Sequence, residues 1–400
     1  MCDGAGWNGA CMTPPEEVRM SQKLQVEIVT AEALTPGDIA LWRAMAADNP
    51  DLGSPYFRPE FTRIAAAVSP GAAVAVFHRG GQAVGFFPHQ RRGGAVQPLA
   101  APMNDYHGVI ACPGQAPSLN EVATLLNPRR LNVGGWVGEA RGAETRETLL
   151  AVLPQGGFDT WYAERRAAFG KYFKDKERAR RSLETELGPI RVEAGLRDPA
   201  LLDRLIALKR DQYRRTGRHD IFACGWTRDL LHALMASPKG DFGASMAGLW
   251  AGDRLCAMEF SLHAGRRYHF WFPTYEPGLA RCSPGILLSM DTMRLAGGEG
   301  FSEFDYGFAG ERYKKYFCNT TLTVREAVVL RPGLGAGLSR AAVAVINATG
   351  AERGERLRTS LRRRWAAIEA CETTGLARMK GAAAAAGAAV NKLTRPPVAA

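Results

Sequence analysis

One stretch of the chain constrains its fold more than any other. Residues 245–306 read as three short strands, a helix and a further strand. Residues 245–250 are followed by Ala251-Gly252-Asp253, a hairpin signal, and residues 255–263 alternate in part before turning at Ala264-Gly265-Arg266. Residues 268–272 make the third strand. Ser283 stands as an N-cap with Pro284 at the first helical position, and the predicted helix 285–296 stops at Gly297-Gly298. Strand 301–306 follows. Upstream, Leu201, Leu202, Leu205, Ile206 and Leu208 predict a helix over 201–213, and 228–235 a second one. The order is helices, then β-β-β-α-β.

The first half shows the same order. A helix over 39–46 precedes strands at 74–77, 83–87 and 95–99. Ser118 and Glu121 form a capping-box pattern ahead of a helix over 118–126, and 131–133 is a strand. Two copies of one order predict an internal duplication. The expected fold class is α+β: tandem halves, each a mixed sheet with helices, plus a basic C-terminal tail. The expected domains are 1–23, a disordered or mis-called start; 24–160, the first half; 161–332, the second half; and 333–400, the tail, with a linker at 333–337. A helix dense in Lys and Arg, 169–187, lies between the halves.

Charge and cysteines narrow the function classes. The net charge is +11, and from Arg331 onward twelve Arg and Lys face four Glu. Such a tail suits phosphates, an acidic polymer or an anionic membrane face, or is simply solvated. Its cations are clustered rather than interleaved with aromatics, which argues against a nucleic-acid stacking platform and against DNA. The eight cysteines include no C-x-x-C pair, so no metal site is expected and reduced thiols are. With neither a secretory signal nor a membrane span in the pattern, the expected location is cytoplasmic.

The stretch 268–277, then Ala280-Arg281-Cys282-Ser283-Pro284-Gly285, then Phe304-Asp305-Tyr306-Gly307 and Tyr313-Lys314, resembles the acetyltransferase domain of cellulose-biosynthesis (CelD/BioF2-like) proteins. That domain belongs to the GNAT superfamily and is related to the FemAB aminoacyltransferases. Leu208-Lys209-Arg210-Asp211-Gln212-Tyr213 fits the same likeness. It covers about 160–330 well, and the first half only by element order. Within the family, the basic tail points to the holdfast-polysaccharide N-acetyltransferases. The resemblance implies acyl transfer from acetyl-CoA to an amine of a sugar or lipid-linked sugar precursor in exopolysaccharide assembly. Two alternatives stay open: a FemAB-like transferase using aminoacyl-tRNA, and a degenerate, non-catalytic module responding to a nucleotide.

Transfer to an amine needs an anion cradle, a base and a carbonyl polariser. The helix start at Ser283, Gly285 and the nearby Arg281 are the expected donor site, because free N–H groups and the helix dipole favour phosphates. The segment departs from the common Arg/Gln-x-x-Gly-x-Gly/Ala pattern, which keeps other acyl carriers open. Asp305 and Glu259 are the candidate bases, Tyr313 and Tyr275 the candidate acids, and Lys314 the polariser or phosphate ligand. Lys209, Gln212 and Tyr213 on one helix, with His269, Trp271 and Tyr275, are the candidate acceptor residues. Each has a plainer reading as core aromatic, cap or solvated charge. In the tail, Arg358 and Arg362 give an R-x-x-x-R spacing, extended by Arg363, suited to c-di-GMP; the competing reading is a basic amphipathic helix on the inner membrane face with Trp365 at the interface.

Overall fold

A computed structural model describes residues 23–238, 240–331 and 351–394, with side chains of 359–384 in the last stretch. The expected start at 1–22, the linker at 333–337 and the side chain of Arg358 lie outside the described residues. The chain divides into two compact units, Met1–Thr145 with Val324–Ser360 and Arg146–Thr323 with Leu361–Ala400. The sequence reading places its boundaries at 160 and 332 instead. The later boundary differs because β13 (Thr320–Leu330) follows the elements of unit two in the chain but pairs antiparallel with β6 (Arg130–Val137) of unit one, and the earlier one because the strand Glu144–Val152 pairs with Glu303–Phe308 of unit two.

Unit one orders its strands β1 (Gln25–Val29), β2 (Ala72–Arg79), β3 (Gln82–Arg92), β4 (Ala95–Pro98), β6, β13. Helices α1 (Pro36–Asp48) and α2 (Pro59–Val68) precede β2, and α3 (Leu119–Leu126) lies between β4 and β6. Gly80 and Gly81 both take positive φ, 59° and 77°, as the two-residue turn between β2 and β3 demands. The core gathers Phe77, Phe87, Val96, Val122, Leu131 and Trp136. A two-residue strand, β5 (His107–Gly108), also pairs with β6.

Unit two opens with β7 (Glu144–Val152), α4 (Gly157–Ala168) and α5 (Gly170–Leu187). Then come β8 (Ile190–Leu196), α6 (Pro199–Thr216), α7 (Trp226–Ala236), β9 (Phe242–Ala251), β10 (Arg254–Ala264) and β11 (Arg267–Tyr275). α8 (Pro284–Gly298), β12 (Glu303–Phe308) and the short α9 (Lys314–Phe317) complete it. The sheet order is β7-β12-β11-β10-β9-β8. β9, β10 and β11 are antiparallel neighbours, and the crossover through α8 makes β11 and β12 parallel. The expected β-β-β-α-β order is therefore present.

The two faces of this sheet are covered differently. Tyr268 and Phe270 of β11 and Phe304 of β12 pack with Leu287, Leu288 and Met293 of α8 and with Trp161 and Phe173 of α4 and α5. Burying each such large apolar side chain contributes about 1.5–3 kcal/mol. Helices α6 and α7 cover the other face, where the ring of Phe222 meets Phe272 of β11 at 5.5 Å.

The tail continues as α10 (Ala351–Cys371) and α11 (Gly375–Thr394). The expected apolar face of α10 is only partly used: Ile368 is buried, while Leu361 and Trp365 are 48% and 39% exposed. Ala370 and Cys371 are buried too, and the Trp226 indole donates to the Cys371 carbonyl at 3.3 Å. The last turn of α10 is thus part of unit two, not a detachable appendage. Cys112 is disulfide-bonded, against the expectation of reduced thiols, whereas Cys224, Cys256, Cys282, Cys318 and Cys371 are free. Among the described residues no helix is long and apolar enough to cross a membrane, and no group of three or more side chains could hold a metal ion.

Candidate active site

β11 and β12 begin side by side and then part. Their paired residues are Arg267 with Glu303, Tyr268 with Phe304 and His269 with Asp305, and pairing stops there although the strands run on to Tyr275 and Phe308. Both strands are disturbed just beyond that last pair. β11 carries an extra residue at Trp271 against β10, and β12 shifts register against β7 between Asp305 and Phe308. A bulge bends its strand, so two bulges at one level open a wedge between parallel strands. Gly307 makes the bend possible on β12: it takes φ +67°, and its N–H donates to Asp305 Oδ1 at 2.7 Å.

At the mouth of the wedge stands a buried ionisable pair. His269 Nδ1 and Asp305 Oδ2 lie 3.5 Å apart, and both residues are 0% exposed. One step back in the register, Arg267 donates to Glu303 from Nε at 2.9 Å and from Nη2 at 2.7 Å. Burial alone would push the Asp305 carboxyl up, but His269, Arg267 and the Gly307 N–H together hold it below the ordinary value. Asp305 is therefore a carboxylate at neutral pH. His269, like Trp271 at 9% exposed, is buried, which leaves Tyr275 at 43% as the exposed ring of the three acceptor candidates on β11.

The start of α8 lies beyond the end of β11. Ser283 occupies the N-cap position but in the left-handed region, φ 49°, and makes no side-chain cap. This corrects the expected capping role. The Ser283 hydroxyl instead accepts a hydrogen bond from Lys176 Nζ of α5 at 2.8 Å. Burial pulls the Lys176 amine below its ordinary value. The first turn of α8 carries no acidic residue, so the dipole end faces a cation and not a carboxylate. Gly285 sits here with the Tyr275 ring at ordinary contact distance from where a Cβ would be. Arg281 is spoken for by an ion pair with Glu186, and Arg180 fastens α5 to α8 through Asp291 at 2.6 Å.

Glu259 falls on the α8 side of the sheet, the face opposite His269 and Asp305. It is 1% exposed, and burial pushes its carboxyl up to about 8, partly offset by a hydrogen bond with Thr292. The structure thus separates the two candidate bases. Asp305 is charged at the wedge, and Glu259 is held neutral beneath α8.

A third group gathers past the end of β12. Lys314 donates to the Phe308 carbonyl at 2.7 Å and pairs with Glu311 at 2.7 Å. Lys209 of α6 donates to Gln212 at 3.3 Å, and burial followed by the charge of Arg218 pulls its amine down to about 8, against the opposing pull of Glu311. Burial also raises the Tyr313 phenol, which keeps it protonated. The Tyr213 ring rests against Phe222 at 6.2 Å. Glu311 thus pairs with Lys314 and acts electrostatically on Lys209, which holds Gln212. Sequence reasoning missed Glu311 and the individual Lys176. Lys176 was legible in principle: it shares a helical face with Phe173, Arg180 and Leu183 at i−3, i+4 and i+7. In the tail, Arg362 is half-buried and Arg363 exposed.

A parallel strand pair opening into a wedge is thus followed by a helix, α8, that starts without a side-chain cap. Residues 170–315 match the family described as acetyltransferase (GNAT) domain, and by that domain the protein is an acyltransferase. The chain is also similar to the C-terminal domain of a protein described as a lysylphosphatidylglycerol synthetase from Agrobacterium fabrum, at 12% identity over 78% of this chain and 96% of that one, with a TM-score of 0.45. A tandem GNAT protein from the clavulanic acid biosynthesis pathway is similar at 9% identity over 78% of this chain and 100% of that one, TM-score 0.44. FemX is similar at 10% identity over 75% and 95% of the two chains, TM-score 0.43. No curated protein matches the chain.

Proposed function

We propose that unit two transfers an acyl group, acetyl from acetyl-CoA, to an amine of a sugar-containing precursor. The observation that carries the reading is the open wedge past His269 and Asp305 together with the uncapped start of α8. The free N–H of Gly285, the helix dipole and Lys176 suit a pyrophosphate. The gap between β11 and β12 beyond their last pair gives room for an extended, amide-bearing arm. Asp305, held ionised, accepts the proton of the attacking ammonium directly or through a water. The Lys209, Glu311 and Lys314 group lines the acceptor side. The sugar-bearing acceptor, in exopolysaccharide assembly, is supported by the resemblance across 268–314.

Calorimetric titration with acetyl-CoA tests the reading. One donor per chain is expected, with affinity reduced about tenfold in Lys176→Ala, the loss of one charge-assisted hydrogen bond. No binding by the wild-type chain would overturn the donor assignment.

A further inference from the structure

We propose that Cys224 and Cys371 form an oxidisable thiol pair that closes a disulfide between the loop ahead of α7 and the last turn of α10. This inference does not rest on the acyl-transfer reading. The two sulfurs converge on one acceptor: Cys224 Sγ lies 3.2 Å and Cys371 Sγ 3.9 Å from the Ile221 carbonyl oxygen. The two thiols are also electrostatically coupled, Cys371 acting to lower the Cys224 thiol. Cys224 is half-buried and Cys371 buried. That is the arrangement of an accessible attacking thiol backed by a resolving one.

The electrostatics agree. The interaction with Cys371, against the opposing effect of burial and with help from Thr227, brings the Cys224 thiol down to about 7. A substantial share of it is thiolate at neutral pH, near the optimum for an attacking sulfur. Burial pushes Cys318 up to about 12 and raises Cys256, so those thiols stay protonated.

A disulfide of a small thiol, RSSR, is the required oxidant class. The Cys224 thiolate attacks one sulfur of RSSR, and one RS⁻ leaves, giving a mixed disulfide. Cys371 gives up its proton and attacks the Cys224 sulfur, and the second RS⁻ leaves. Two protein thiols become one disulfide, and RSSR becomes two RSH, so two electrons and two protons are transferred.

The bond joins positions far apart in the chain. Cys371 closes α10, and Cys224 stands two residues from Phe222, whose ring meets both Tyr213 of α6 and Phe272 of β11. Oxidation therefore fastens the tail onto the loop that braces α6 against the sheet. Glu372, next to Cys371, lies 3.6 Å from His219 at the other end of that loop, so the tail already rests there before any bond forms.

The test treats the full-length protein with glutathione disulfide at neutral pH and maps peptides by mass spectrometry without reduction. The expected product is a peptide pair joining Cys224 to Cys371 that dithiothreitol releases, with tryptic loss of the tail slowed several-fold. In Cys371→Ser, a lasting glutathione adduct on Cys224 is expected instead. A wild-type protein that keeps such an adduct, stays unreacted, or links Cys224 to Cys256 or Cys282 overturns the proposal. The wild-type map decides the matter even if the serine variant folds poorly.

Discussion

The two units contain the same crossover, a strand, a helix and a parallel strand, and they treat it in opposite ways. In unit two the parallel strands part after His269 and Asp305, and among the described residues no strand enters the gap. In unit one β4 and β6 part after Val96 and Leu131, and β5 then takes the vacated edge of β6, pairing His107 with Trp136 and Gly108 with Val137. His107 Nε2 accepts the N–H groups of Gly134 and Gly135, each at 3.0 Å, and Ile110 exchanges two backbone hydrogen bonds with Phe86. These backbone groups are consumed internally. The helix starts differ likewise. α3 of unit one is closed by a capping box, with Glu121 Oε2 accepting the Ser118 N–H at 2.8 Å, whereas α8 of unit two has Lys176 at an uncapped turn. Where unit two holds an ionisable pair at the parting point, unit one holds two aliphatic side chains. The same crossover thus occurs in both units, closed by β5 and a capping box in one and left open in the other.

The largest expected effect comes from the parting point. Asp305→Asn keeps an oxygen for the Gly307 N–H but removes the charge, and it should lower turnover by about 100- to 10,000-fold. Wild-type turnover in this variant would mean that the difference between the ionisable and the aliphatic pair has no catalytic meaning. Next is the donor count. If unit one is closed as described, titration finds one acetyl-CoA per chain, Lys176→Ala weakens it about tenfold, and Glu121→Gln leaves it unchanged. Two sites per chain, or a donor affinity that follows Glu121, would break the comparison.

A pH experiment sharpens it further. Burial puts Glu259 at about 8, above its ordinary 4.5, so folding takes up a proton in between. The contribution of such a group is most favourable below about pH 4.5 and is lost as pH rises through about 8. Glu259→Gln is neutral throughout. Its Tm should therefore gain on wild type by a few degrees between pH 5 and pH 8.5, and the gain should level off above. A difference in Tm independent of pH would mean that Glu259 is not held neutral beneath α8.

Much of this frame was legible from local rules. The hairpin glycines, the Pro284 start of α8 and the capping box at Ser118 each encode an element boundary by short-range chemistry, and all three are where the sequence puts them. What stayed illegible depends on partners distant in the chain. Ser283 reads as a cap because Ser-Pro usually is one, yet Lys176, more than a hundred residues earlier, claims its hydroxyl. His269 reads as a free ring on an alternating strand, and only the parallel register with β12 turns it toward Asp305. Arg281 reads as a phosphate ligand, and Glu186 claims it. The exchange of β13 into unit one has no local signal either, because a strand pattern does not say which edge it will join.

The smallest expected effect bears on why unit one can close at all. Ser118→Ala removes the hydroxyl that accepts the Glu121 N–H at 3.3 Å and leaves an orphan donor at the start of α3. The cost should be about 1 kcal/mol of stability, with no change in transfer rate, read by denaturant unfolding of the full chain. The paired change in unit two has the opposite logic. Ser283→Ala removes no cap, so it should cost less stability than Ser118→Ala. It does release Lys176, so its effect belongs in donor affinity. If the two serines instead exchange equal stability costs, α8 is capped in solution, and the asymmetry between a self-satisfied helix start and one kept for an external anion disappears.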